Sequence, residues 1–251
     1  MINLKTKDWE IKNIETILFD KDGTFIDLHY FWGKMTELRA IEVIKRFNLS
    51  NDYFSKLCDF LGYNTNTGKM NPNGITALYS RSKIIEIFKN NLKDLGVDTT
   101  ENYLAEIFDF VSEIFYKNIN DYTKPINSAI EFIKKLNAKG IKLGIVTSDS
   151  IESTKLTLKN LNLEEFFKVS IGRECSKETK ESGALSKIAI EKLNANPKTT
   201  IMIGDAPMDY LSAINSGIEK TILVSTGQIS KKELEKTSPF VVDDLLEIEI
   251  I

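Results

Sequence analysis

Short apolar runs alternate with stretches of helical spacing over much of the chain. The runs at 15–20 (ETILFD), 141–147 (IKLGIVT), 168–171 (KVSI), 200–204 (TIMIG), 220–224 (KTILV) and 239–242 (PFVV) are rich in β-branched residues and lack clean polar–apolar alternation. That texture predicts strands buried on both faces, as in a parallel sheet. Between them, residues 127–138 place Ile130, Ile133 and Leu136 on one face and stop before Gly140, and 151–161 and 183–193 read likewise. Each pattern predicts an amphipathic helix, with glycine as a stop signal after the first. A last short helix is expected from Leu245 onward. Strand and helix in alternation predict right-handed crossovers and a doubly wound, Rossmann-like α/β sheet.

Residues 28–119 break the alternation, because they contain no convincing strand. Apolar side chains recur at helical spacing through Phe31, Met35, Leu38, Val43 and Phe47, and more densely through Leu104, Ile107, Phe108, Val111 and Phe115. These stripes predict the core of a helical bundle. The segment 63–74 (YNTNTGKMNPNG) is a cluster of Asn, Thr, Gly and Pro that reads as a loop within it. The predicted organisation is an α/β core built from 1–27 and 120–251, interrupted by an all-α helical-bundle cap over 28–119.

Composition narrows the chemistry. At 251 residues, with 42% hydrophobic and 27% charged side chains, the chain has the apolar mass for a sizeable core. The 33 basic against 36 acidic residues give a net charge of -3, which supplies no positive field for a nucleic-acid backbone. No apolar stretch approaches the roughly 18 residues of a membrane span, and Cys58 and Cys175 form no paired motif. A cytoplasmic protein with free thiols is expected, as monomer or homodimer. The single histidine, His29, excludes any site that needs two imidazoles. Catalysis must then rest largely on carboxylates, hydroxyls and lysines.

Those groups concentrate directly after predicted strands, where a doubly wound sheet places its ligand loops. Asp20-Lys21-Asp22-Gly23-Thr24 follows the first strand, Thr147-Ser148-Asp149 the second, and Gly204-Asp205 with Asp209 a later one. Carboxylates converging from separate strand ends make an oxygen-rich site suited to Mg²⁺ beside a phosphate.

The DxDGT run, the strand-borne Thr147, Lys180 and the GDxxxD run occur in the order found in the haloacid dehalogenase superfamily. The chain resembles its phosphoglycolate phosphatase-like branch, in which a helical cap is inserted after the first motif. The resemblance implies Asp20 as nucleophile and Asp22 as general acid and base. It also implies Mg²⁺ held by Asp20, Asp205 and the backbone carbonyl of Asp22, and a phosphate gripped by Thr147, Ser148 and Lys180. Thr24 would orient Asp20 by hydrogen bonding, and Asp209 would support the metal site through Lys180 or water. The lysine usually precedes a proline in that family, whereas the sequence here is Lys180-Glu181-Ser182-Gly183, with Lys177 a nearby alternative. His29, Trp32 and Arg81 are the cap positions expected to select a small phosphorylated metabolite. The implied activity is phosphomonoester hydrolysis. A β-phosphoglucomutase-like mutase and a catalytically silent phosphate-binding or interaction module are the alternatives.

Overall fold

The computed structural model describes all 251 residues, which divide into two compact units, 1–27 with 125–251 and 28–124. In the first unit, six parallel strands lie in the order β10-β9-β8-β3-β6-β7, with β3 at Thr16–Phe19, β6 at Lys142–Val146, β7 at Phe167–Ile171, β8 at Thr200–Gly204, β9 at Lys220–Val224 and β10 at Phe240–Val242. The helices α7 (Asn127–Ala138), α8 (Ile151–Asn160), α9 (Ala184–Leu193) and α10 (Pro207–Ser216) alternate with the strands, and a short α11 spans Lys231–Leu234. Leu18, Val146 and Met202 on the sheet pack with Leu185, Ala189 and Ala213 of the helices, which explains the continuous apolar character of the strands.

Strand order reverses at β3, whose neighbours are β6 on one side and β8 on the other. Phe19 is in register with both Ile145 and Ile203. The three strands therefore end almost level, and the polar residues that follow them emerge side by side at the switch point, where open α/β sheets bind ligands.

The N-terminal residues carry an element without a forecast. β1 (Ile2–Lys5) and β2 (Glu10–Ile14) pair antiparallel, and β11 (Glu249–Ile250) joins β1 on its other side. Ile2, Leu4, Ile11 and Ile14 are buried, yet the polar and charged residues between them break the continuous apolar run that marks the strands of the main sheet. The helix expected from Leu245 is a single 3-10 turn, Leu245–Glu247, because the chain then enters β11.

The second unit contains α1 (Leu28–Phe47), α2 (Phe54–Phe60), α3 (Ile75–Leu78), α4 (Arg81–Lys93), α5 (Glu101–Lys117) and α6 (Ile119–Tyr122). Its core joins Ala40, Val43, Leu57, Phe88, Leu104 and Phe108. It is not wholly helical: β4 (Tyr63–Asn64) and β5 (Lys69–Met70) form a small hairpin within the expected loop. Two-residue strands leave no periodic signal, and only the turn chemistry of Asn64 to Gly68 shows in the sequence. The unit also runs to residue 124 rather than 119. There α6 stacks Tyr122 on Phe115 at 4.9 Å between ring centroids and receives a hydrogen bond from the Tyr30 hydroxyl at the Asp121 carbonyl, 2.9 Å.

Candidate active site

Asp20 extends the β3–β8 ladder by one residue, its amide donating to the Ile203 carbonyl at 2.8 Å. The chain then turns sharply. The amides of Thr24, Phe25 and Ile26 all point to the Lys21 carbonyl at 3.1–3.3 Å, and the Gly23 amide donates to Ile26 at 2.8 Å. Gly23 has φ +88°, and a Cβ there would lie 2.3 Å from Asp205 Oδ2. Glycine is thus needed both for the left-handed backbone and for the approach of the Asp205 carboxylate. Thr24 is fully buried, but its hydroxyl has no hydrogen-bond partner. It does not orient Asp20 through that oxygen, because its contribution to the turn runs through the backbone amide.

Two buried lysines organise the carboxylates. Lys180 forms ion pairs with Asp20 and, at 2.6 Å, with Asp209. Lys21 pairs with Asp22 at 2.6 Å and with Asp149 at 3.0 Å. Asp209 also accepts from the Ala206 amide at 3.1 Å, closing the first turn of α10. Lys180 sits in a 3-10 turn, Lys180–Ser182, ended by Gly183 at φ +80°. The Asn215 side chain on α10 donates to the Glu181 carbonyl at 2.7 Å and ties that turn down.

Burial pushes Asp20 up from the usual 3.8 to about 6; the Lys180 ammonium pulls against this and the Asp209 carboxylate adds to it. Burial likewise raises Asp22 to about 6 against the pull of Lys21. Asp205 lies well above the ordinary carboxylate range, through burial first and then the charges of Asp20 and Asp209. Asp149 is held low: burial would raise it, but the Lys21 ammonium and hydrogen bonds from Ser153 and Ser150 outweigh that. Both lysines are raised, since burial alone would lower them and the paired carboxylates prevail.

Carboxylate oxygens of Asp20, Asp205 and Asp209 lie within 4.8 Å of one another, all three residues buried. With Asp149, four buried aspartates and the partly exposed Asp22 face two buried lysines, an excess of negative charge in a set of hard oxygen donors that fits a divalent cation such as Mg²⁺. Asp209 is committed to Lys180 and the Ala206 amide, and the Asp22 side chain to Lys21. Asp20 shares Lys180 with Asp209, and Asp205 completes the oxygen cluster beside them.

Thr147 is buried at the end of β6, with its amide on the Ile171 carbonyl at 3.0 Å and its hydroxyl accepting from the Asp149 amide at 3.1 Å. Ser148 follows it and is exposed. Ser150 caps α8 by accepting from the Ser153 amide at 3.1 Å. Asp20, Asp22, Thr147, Ser148, Lys180, Asp205 and Asp209 are thus gathered at one end of the sheet, linked through the lysine pairs and the Thr147 loop. His29, Trp32 and Arg81 belong to the other unit, each with a partner there. His29 Nδ1 accepts from the Met70 amide at 3.1 Å, Trp32 packs edge-on to Phe31, and Arg81 pairs with Asp109 at 2.6 Å between α4 and α5. Lys21 and Asp149 carry no forecast role. Their signal in the sequence is slight: a lysine between two aspartates at the end of an apolar strand, and an aspartate two residues after Thr147.

A family described as haloacid dehalogenase-like hydrolase matches residues 14–217. A Clostridium perfringens protein provisionally named pyrophosphatase PpaX is 28% identical over 94% of this chain and 95% of its own length. The pyrophosphatase PpaX of Bacillus mycoides is 24% identical over 94% and 95%. Among solved structures, one from Haemophilus somnus provisionally identified as a phosphoglycolate phosphatase superposes with a TM-score of 0.68 at 18% identity, over 93% of this chain and 96% of its own.

Proposed function

The chain belongs to the haloacid dehalogenase-like hydrolases and is a phosphatase-like hydrolase, and from that premise we propose that it cleaves a small phosphorylated substrate through a covalent phosphate on Asp20. The observation that carries the reading is the gathering of Asp20, Asp22 and Asp205 with two lysines at the switch point of the sheet. Asp20, ionised near neutral pH, attacks phosphorus in line. The bond to the leaving oxygen breaks, and Asp22 delivers a proton to that oxygen. Asp22, now ionised, takes a proton from the water that attacks the acyl phosphate, which releases inorganic phosphate and restores Asp20. A pKa of about 6 suits Asp22 to both transfers.

Lys180 orients Asp20 and offsets charge on the phosphoryl group. Thr147, Ser148 and the start of α8 grip the phosphate oxygens. Mg²⁺ held by Asp20, Asp205 and the Asp22 carbonyl would supply further positive charge between substrate and carboxylates. Two substrates lead: a small monoester of the phosphoglycolate type, and pyrophosphate, which the names of the whole-length relatives favour.

The test is Mg²⁺-dependent phosphate release from pyrophosphate, phosphoglycolate and sugar phosphates. Asp20→Asn is expected to abolish turnover, and Asp22→Asn to lower it by about 100- to 10,000-fold. Hydrolysis persisting in Asp20→Asn would sink the nucleophile assignment. Conversion of a sugar 1-phosphate to the 6-phosphate would make the chain a mutase, and phosphate binding without turnover a silent module.

A further inference from the structure

The roles assigned above use one of the two buried lysines and leave Lys21 and Asp149 without a task. Side-chain exposure rises from 0% at Lys21 through 2% at Asp149 to 12% at Asp22, so the trio opens to the outside at the carboxylate read as the proton carrier. An ammonium withdrawn from water is costly unless closely paired. A position needing only to be packed would carry an apolar residue at 21, as the strand end does at Phe19 and the following turn at Phe25, both fully buried.

Asp149 is itself immobilised. Its Oδ1 accepts from the Ser150 amide at 2.7 Å, its carbonyl from the Arg173 amide at 3.1 Å, and its own amide donates to the Thr147 hydroxyl at 3.1 Å. The backbone approach is tight, for a Cβ on Gly172 would lie 2.7 Å from the Asp149 carbonyl oxygen. A fixed anion on the β6 loop therefore holds a lysine from the β3 loop, and that lysine holds Asp22 Oδ1 at 2.6 Å. The arrangement repeats that of Asp209, Lys180 and Asp20, in which a second aspartate anchors the lysine that grips a reacting carboxylate.

We propose that Lys21 and Asp149 are positioning residues for Asp22: together they fix its carboxyl group by one oxygen, leave the other to carry the proton, and tie it to the loop that holds Thr147. The inference rests on the acid–base role proposed for Asp22. A carboxyl group free to rotate would still reach the leaving oxygen, but in fewer of its orientations, and the loss falls on the step in which the proton moves.

The experiment compares phosphoglycolate, whose alkoxide leaving group needs a proton, with para-nitrophenyl phosphate, whose leaving group departs as an anion. Lys21→Met and Asp149→Asn are each expected to lower kcat on phosphoglycolate by about 10- to 100-fold. KM should stay within about twofold, and the loss on the aryl ester should be at least about tenfold smaller. Because the residues act as one unit, the double variant should be no worse than the poorer single. It also removes both buried charges at once, so it carries the same prediction if Lys21→Met fails to fold with Asp149 left unpaired. Asp22→Asn is the reference. If it discriminates between the esters while the Lys21 and Asp149 variants keep full kcat or lose both esters equally, the positioning role is overturned and the reading of Asp22 stands. If Asp22→Asn shows no leaving-group dependence, or the unaltered enzyme turns over neither the esters nor pyrophosphate, that reading falls and the positioning role with it.

Discussion

Gly23 shows how much of the site depends on single atoms. Its φ of +88° is left-handed, and the space where a Cβ would sit is occupied by Asp205 Oδ2 at 2.3 Å. Gly23→Ala therefore costs about 1–2 kcal/mol in backbone conformation and also displaces a carboxylate proposed to hold the metal. The expected outcome is a lower melting temperature together with a loss of Mg²⁺-dependent turnover larger than the stability change accounts for. A variant that melts lower but keeps its turnover and its apparent Mg²⁺ affinity would show that Asp205 can move without consequence. At this scale the DxDGT and GDxxxD runs were legible because their spacing places short polar stretches behind apolar strands. Lys21 was not, since a lysine flanked by aspartates reads as a solvated residue until the fold brings Asp149 against it. The Thr24 hydroxyl was misread for the converse reason: its position beside Asp20 in sequence does not give its oxygen a partner.

Among the elements, the turn carrying Lys180 departs most from the motif pattern, with glycine three residues after the lysine and no proline. Its substitute for stiffness is external. The Asn215 side chain on α10 donates to the Glu181 carbonyl, and Gly183 at φ +80° lets the turn lie against the C-terminal end of α10, where a Cβ would come within 2.6 Å of the Asn215 carbonyl carbon. Asn215→Ala removes a hydrogen bond worth about 1 kcal/mol and should lower kcat severalfold, because Lys180 is held less firmly against Asp20. Gly183→Ala should be more severe in both stability and kcat, since backbone must shift to admit the methyl group. Steady-state kinetics with thermal melts check both, and an unchanged kcat in Asn215→Ala would mean that the ion pairs alone position Lys180. The strands and long helices of the sheet were legible because burial on both faces and 3.6-residue periodicity leave strong patterns. The β4–β5 hairpin and the sheet formed by β1, β2 and β11 were not, because the hairpin strands and β11 have two residues each and β1 and β2 interleave their buried apolar residues with polar ones instead of forming an apolar run.

For the molecule as a whole, the break in strand–helix alternation after residue 27 disclosed an inserted unit, while its far edge was placed too early because α6 is a single turn whose attachment depends on Tyr122 stacking on Phe115. The stability of the chain should bear the mark of what the α/β unit encloses. Asp20 and Asp22 rise from 3.8 to about 6 on folding and Asp205 rises well above 3.8, burial being the leading cause for each. A raised carboxyl pKa means that the folded state binds the proton more tightly than the unfolded state. The stabilisation from these groups is complete below pH 3.8 and is lost as the pH climbs through about 6. Asp149, held low, works in the opposite sense, but its stabilisation is lost only as the pH falls below 3.8, so it does not act in this window. Without divalent metal, the protein should therefore melt at a higher temperature at pH 5.5 than at pH 7.5. Mg²⁺ favours the ionised carboxylates and competes with the protons, so it should raise the melting temperature more at pH 7.5 than at pH 5.5. Melts at both pH values with excess EDTA or Mg²⁺ check the two signs independently. The first depends on the burial of Asp20, Asp22 and Asp205, and the second on their acting as a metal site, so reversal of the second alone would leave the buried carboxylates in place and remove the case for Mg²⁺.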